Sequence, residues 1–148
     1  MESFLDGLKR ALFRPINKAA ISIMGAFTLL WGIWVANPLW AVFSTAPLFN
    51  AMSVLAPEWV WGTVAIIVGI TMLWGVIRMS YRSLMSGALV GFYFWIAGSI
   101  CFFLGDWQNT GGITLLMIAL YCGYIALNLR VNKVEFEESE AQFGIEKE

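Results

Sequence analysis

The amino-acid sequence predicts an all-α fold: a polytopic integral membrane protein with four transmembrane helices, an N-terminal amphipathic interfacial helix and an outer interfacial segment. Three observations carry this. Four long stretches hold no charged residue, and each is close to the roughly 20 apolar residues that cross a bilayer core. Of the 148 residues 59% are hydrophobic and 13% charged, where a soluble domain is about 25% charged. The connections between the stretches alternate between carrying Lys and Arg and carrying none.

Residues 1–18 form a unit of their own. On a helical wheel Phe4, Leu5, Leu8, Ala11, Leu12 and Ile16 share one face, and Glu2, Asp6, Lys9, Arg10 and Arg14 the other. That is the pattern of a helix lying in the membrane surface, with Lys9, Arg10, Arg14 and Lys18 toward the headgroups. Ser3 is its candidate cap, and Pro15 bends or ends it. The same basic residues also serve as a flank that sets topology.

The first span is 19–36. Its apolar run is longer than a signal peptide's, and no A-x-A site follows, so it reads as a retained helix. Residues 37–58, NPLWAVFSTAPLFNAMSVLAPE, carry one charge, three prolines and many large apolar side chains. A solvated loop would not have this composition. It predicts a segment in the headgroup plane or a shallow re-entrant one, with Pro47 to Leu55 as a short helix stopped by Pro57. The further spans are 59–77, 84–105 and 111–129, joined by the short connections 78–83 and 106–110. Pro57 and Glu58 suit the start of the second span, and Asn109 or Thr110 the cap of the fourth.

Of the nine basic residues, none lies in 37–58 or 106–110. The positive-inside rule then puts both termini in the cytoplasm, and four spans return the chain to the side where it began. Trp34, Trp40, Trp59, Trp61 and Trp107 gather near the outer boundary, where indole rings settle. Trp95 is at mid-span, facing lipid or another helix.

The third span bears a ladder of small residues: Gly87 and Gly91 in GxxxG, then Gly98 and Gly105, with Cys101 on the same side. The fourth offers Ala119, Gly123 and Ala126, and the second Gly62, Ala65 and Gly69. Small residues let helices approach closely in lipid. The ladder therefore serves packing within one bundle or self-association of several copies, and spacing alone does not separate the two. A close-packed bundle of four has no lumen, so a channel would have to form between copies.

Cys101 and Cys122 lie in apolar runs and read as small core residues. Glu58 and Asp106, the acids outside the cytoplasmic regions, stand at span ends where they meet helix N-termini. Thr63, Thr71, Ser99 and Thr114 are expected to bond back to their own helices. The chain has no histidine, and with no acid inside a span the reading is non-enzymatic, with no cofactor and no metal. The net charge of −1 leaves no basic surplus for nucleic acid. The tail 134–148 carries six acids and one lysine. Phe136 and Phe143 interrupt it as candidate anchors for a cytoplasmic partner.

In size and layout, though not in residues, the chain is similar to small phage or bacterial membrane proteins: holins, immunity and superinfection-exclusion proteins, and accessory subunits. Its acidic tail departs from the basic tails common among holins. The layout implies the inner membrane of a bacterium or of a phage-infected host. Two functions follow as expectations. One is a homo-oligomer that forms a pore, lesion or membrane scaffold through its small-residue faces. The other is an accessory or immunity-type protein that binds a larger partner through the tail or 37–58. A small carrier is a third reading, and requires Glu58 or Asp106 buried between subunits.

Overall fold

The computed structural model describes residues 18–133 except 40, 107 and 109. The described residues are helical, with no strand among them. Four helices are long and apolar enough to cross a membrane. They are α1 (Lys18–Ala36), α4 (Glu58–Arg78), α5 (Tyr81–Gly105) and α6 (Thr110–Val131). Between α1 and α4 run the short helix α2 (Val42–Thr45), a 3₁₀ turn (Pro47–Phe49) and α3 (Asn50–Leu55). At 1.5 Å per residue, the 21-residue α4 is about 31 Å long, the thickness of a hydrocarbon core. The predicted amphipathic helix over 1–18 lies outside the described residues but for Lys18, which opens α1.

Local chemistry sets the helix ends. Pro57 stands in extended conformation just before α4, at the cap rather than in the first turn, and Glu58 places its charge at the positive dipole end. The 78–83 connection is tighter than the sequence suggests. Ser80 N–H donates to Gly75 O at 3.0 Å and Met79 N–H to Val76 O at 3.3 Å, a Schellman closure. Met79 takes the left-handed conformation that this motif usually gives to glycine, with φ 54°. The Met79 side chain is buried, and that contact holds it there against the conformational cost. Ser80 then caps α5, its hydroxyl facing the Ser83 N–H. Arg78 thus ends one helix and Arg82 lies in the first turn of the next.

Pairing is most extensive between α1 and α4, then between α5 and α6, with α4 against α5 joining the two pairs. The core divides into one cluster around Trp61, Trp95 and Phe102 and a second, toward the 78–83 turn, around Met72, Leu84 and Ile125. Trp95 faces helices, not lipid. It is 1% exposed, with the Trp31 ring at 5.1 Å, Phe94 at 5.0 Å and Phe27 at 5.8 Å.

The 37–58 segment folds into a cap on the end of the bundle opposite the 78–83 turn. Its own Val42, Phe43, Phe49 and Met52 are buried against the bundle. Phe43 stacks on Phe49 at 5.0 Å, and Phe49 meets Phe102 of α5 edge-on at 5.2 Å. Two polar ties hold the cap to α4. The Glu58 carboxylate accepts the Val42 N–H at 2.8 Å, and the Trp61 indole donates to Met52 O at 3.1 Å. Trp61 is therefore buried under the cap, where it pins backbone rather than facing headgroups.

Candidate functional site

The sequence pointed to the small-residue faces, and the structure places each of them. Gly87 faces α4, where an added Cβ would lie 2.8 Å from Met72 Cγ. Gly91 sits between Val68 of α4 and Cys122 of α6, both at 3.4 Å from such a Cβ, and Gly98 faces Leu115 of α6 at 3.4 Å. Cys101, Ala119 and Ala126 are buried, and Gly123 meets Phe92 of α5 at 2.9 Å. Gly105 ends α5 and is exposed. Gly87, Gly91 and Gly98 thus divide among the chain's own neighbouring helices. Lys9, Arg10, Arg14, Phe136 and Phe143 lie outside the described residues.

The tightest approach in the bundle is elsewhere. Along α1 and α4, Gly25 and Gly32 are seven residues apart, as are Gly62 and Gly69. A Cβ at Gly32 would come within 2.7 Å of Ile66 N, at Gly62 within 2.6 Å of Ala36 N, and at Gly69 within 2.6 Å of Leu29 N. These are backbone atoms, which cannot swing aside. Backbone-to-backbone contact of this kind is the van der Waals source of helix association in lipid. Sequence reasoning passed over Gly25 and Gly32. Their seven-residue spacing, matched to that of Gly62 and Gly69, was the signal that could have found them.

Polar groups inside the spans are few, and most of their hydroxyls are bonded to backbone carbonyls. Thr71 donates to Ile67 O at 2.7 Å and Thr114 to Thr110 O at 3.1 Å, each in its own helix as expected. Ser99 does not. Its hydroxyl donates across to Gly112 O of α6 at 2.7 Å, because the close α5–α6 packing brings that carbonyl nearer than its own turn. Ser83 crosses to α4 in the same way, donating to Thr71 O at 3.0 Å. Asn128 is buried near the C-terminal end of α6 and accepts from Asn132 at 2.9 Å. Among buried described side chains, the Trp95 indole N–H has no hydrogen-bond acceptor. Asp106 is exposed and closes a local turn by accepting the Gln108 N–H at 3.1 Å.

Basic residues mark the other end. The Arg78 guanidinium lies over the Trp74 ring at 4.8 Å, and the Lys133 ammonium 5.8 Å from the Tyr81 ring. The described acids, Glu58 and Asp106, are both at the opposite end of the spans. Among the described residues no three His, Cys, Asp or Glu side chains are grouped as metal ligands. Compared with protein-family models, with curated proteins and with solved structures, the chain finds no match.

Proposed function

We propose that this is a non-enzymatic integral membrane protein that works by lateral association, as a self-associating membrane scaffold. The observation that carries this reading is the character of the bundle. Its interior is filled by close-packed apolar side chains, and its outward faces present Ile, Leu and Trp, with Ile23, Leu30, Ile67 and Met117 more than half exposed. Such a protein offers its surroundings a shaped apolar surface and little else. A scaffold fits it better than a pore, because a pore between copies would need a polar lining, and the outward span faces carry only scattered hydroxyls such as Thr63, Ser86 and Thr114.

In this reading both termini are cytoplasmic, since every Lys and Arg lies in the flanks and in 78–83. The N-terminal segment rests on the inner surface as an amphipathic helix, and the 37–58 cap lies at the outer headgroup level. Native mass spectrometry of the full chain from lipid nanodiscs tests the proposal. A discrete homo-oligomer is the expected result. A clean monomer would refute self-association, and the accessory or immunity-type reading, with a different protein as partner, would take its place.

Gly91 and Gly98 are unsuited to probing that assembly, because they face helices of the same chain. Leucine at either would strike α4 or α6 of the same chain. Outward positions such as Leu120 and Met117 on α6 are the ones to change.

A further inference from the structure

We infer a binding site for an anionic phospholipid on the membrane face of the α4–α5 seam, one acyl chain lying in a groove and the phosphate held by Arg78 and Arg82. The groove has a volume of about 120 Å³, and its floor is Val68 and Gly87. Glycine at 87 lets α4 close against α5 beneath the groove, the space of a Cβ there being taken by Met72.

Two helical stripes form the walls. On α4, Ile67, Thr71, Trp74 and Arg78 follow at steps of three and four, and on α5, Arg82, Ser86 and Val90 follow at steps of four, so each set shares one face. Ile67, Trp74 and Val90 are each about half exposed. The wall hydroxyls are already committed, Thr71 to Ile67 O at 2.7 Å and Ser86 to Ser83 O at 3.1 Å. What remains toward the groove is a surface suited to hydrocarbon.

Both stripes end in arginine, at the same end of the bundle. Arg78 rests on Trp74, one turn further along the α4 stripe from Thr71, and Arg82 is one turn beyond Ser86. The described acids lie at the far end of the spans, so no described carboxylate competes for this charge. Guanidinium groups at the headgroup level above an apolar groove match a ligand with an anionic phosphate on a long apolar chain. A free phosphate ion would use the arginines and leave the groove idle, and a neutral lipid the reverse. The site is independent of whether the chain self-associates.

The test uses the full chain reconstituted in bilayers of equal phosphatidylglycerol and phosphatidylcholine, with the retained lipid counted by native mass spectrometry. The wild type is expected to prefer the anionic lipid on the order of tenfold, as two surface arginines allow. Arg78→Gln with Arg82→Gln should bring the preference near unity. Ser86→Trp fills the groove with both arginines in place, and should lower the retained lipid. If that variant fails to insert, Val90→Trp on the same wall repeats the test. Arg130→Gln, which removes a charge from α6, should change nothing. An equal loss in Arg130→Gln would show general surface charge and overturn the site. So would full retention in the groove-filled variant, or displacement of the lipid by inorganic phosphate.

Discussion

Gly69→Ala changes one hydrogen for one methyl at the centre of the α1–α4 contact. The new Cβ would stand 2.6 Å from Leu29 N, 2.7 Å from Leu29 Cβ and 2.8 Å from Gly25 O. Ordinary contact begins near 3.4 Å, so the two helices must part locally by about 0.8 Å. Because the obstacle is backbone, no rotamer change absorbs it, and overpacking of this kind costs about 1–3 kcal/mol. In water, alanine would return roughly 1 kcal/mol through helix propensity. In lipid that return is small, because a spanning segment keeps its backbone bonds whether or not the bundle is assembled. The net expectation is a loss of about 1–3 kcal/mol. Gly98→Ala is the matched control. Its nearest neighbour is Leu115 Cδ1 at 3.4 Å, so its methyl gains contact, and stability should stay within about 0.5 kcal/mol. Gly25→Ala should fall between them, since its closest neighbours are Leu73 and Met72 side-chain atoms at 3.1 to 3.3 Å. Reversible unfolding in bicelles by steric trapping, with helicity followed in parallel, measures all three. Equal stability of Gly69→Ala and Gly98→Ala would refute the reasoning.

Other substitutions probe the polar ties. Ser99→Ala removes a buried interhelical bond and should cost about 0.6–1.7 kcal/mol in the same assay, most of it as loss of α5–α6 coupling. Glu58→Ala removes the acceptor of the Val42 N–H, and hydrogen exchange at Val42 should rise at least several-fold while the spans remain protected. Trp61→Phe keeps an aromatic ring, though a smaller one, and removes the donor to Met52 O, and should loosen 50–56 by about 1–2 kcal/mol, read by the same exchange experiment. Met79→Gly removes the left-handed strain and also a buried side chain. The two terms oppose each other at about 1–2 kcal/mol apiece, so the unfolding free energy should move little, whereas Met79→Val should lose 1 kcal/mol or more.

The four spans were legible because a bilayer imposes a rule that acts on each segment alone. A backbone in hydrocarbon must satisfy its own hydrogen bonds, so a charge-free run of about 20 residues reads directly as a helix. The short helix before Pro57 was legible for a similar local reason, since proline stops what precedes it. Which face of each helix meets which neighbour was not local. Gly87 and Gly98 stand on one side of α5 in projection, yet one meets α4 and the other α6, because the helices cross along their length. Ser99 looked like a residue that bonds to its own turn, and only the approach of Gly112 redirects it. Glu58 read as a helix-end charge, and the structure adds the long-range bond to Val42.

The sequence by itself therefore determined the number and length of the apolar runs, the gathering of Lys and Arg at one end of them, and the lack of charged residues within them. These follow from solvation, which each residue meets independently. Tertiary structure decided that α1 and α4 form the closest pair, that the 37–58 segment caps the bundle, and that Ile67, Thr71, Ser86 and Val90 line one groove between α4 and α5. Each of these depends on crossing angle and register between segments far apart in the chain. A difference of less than 1 Å in backbone separation decides them, and no single helix carries that distance in its own residues.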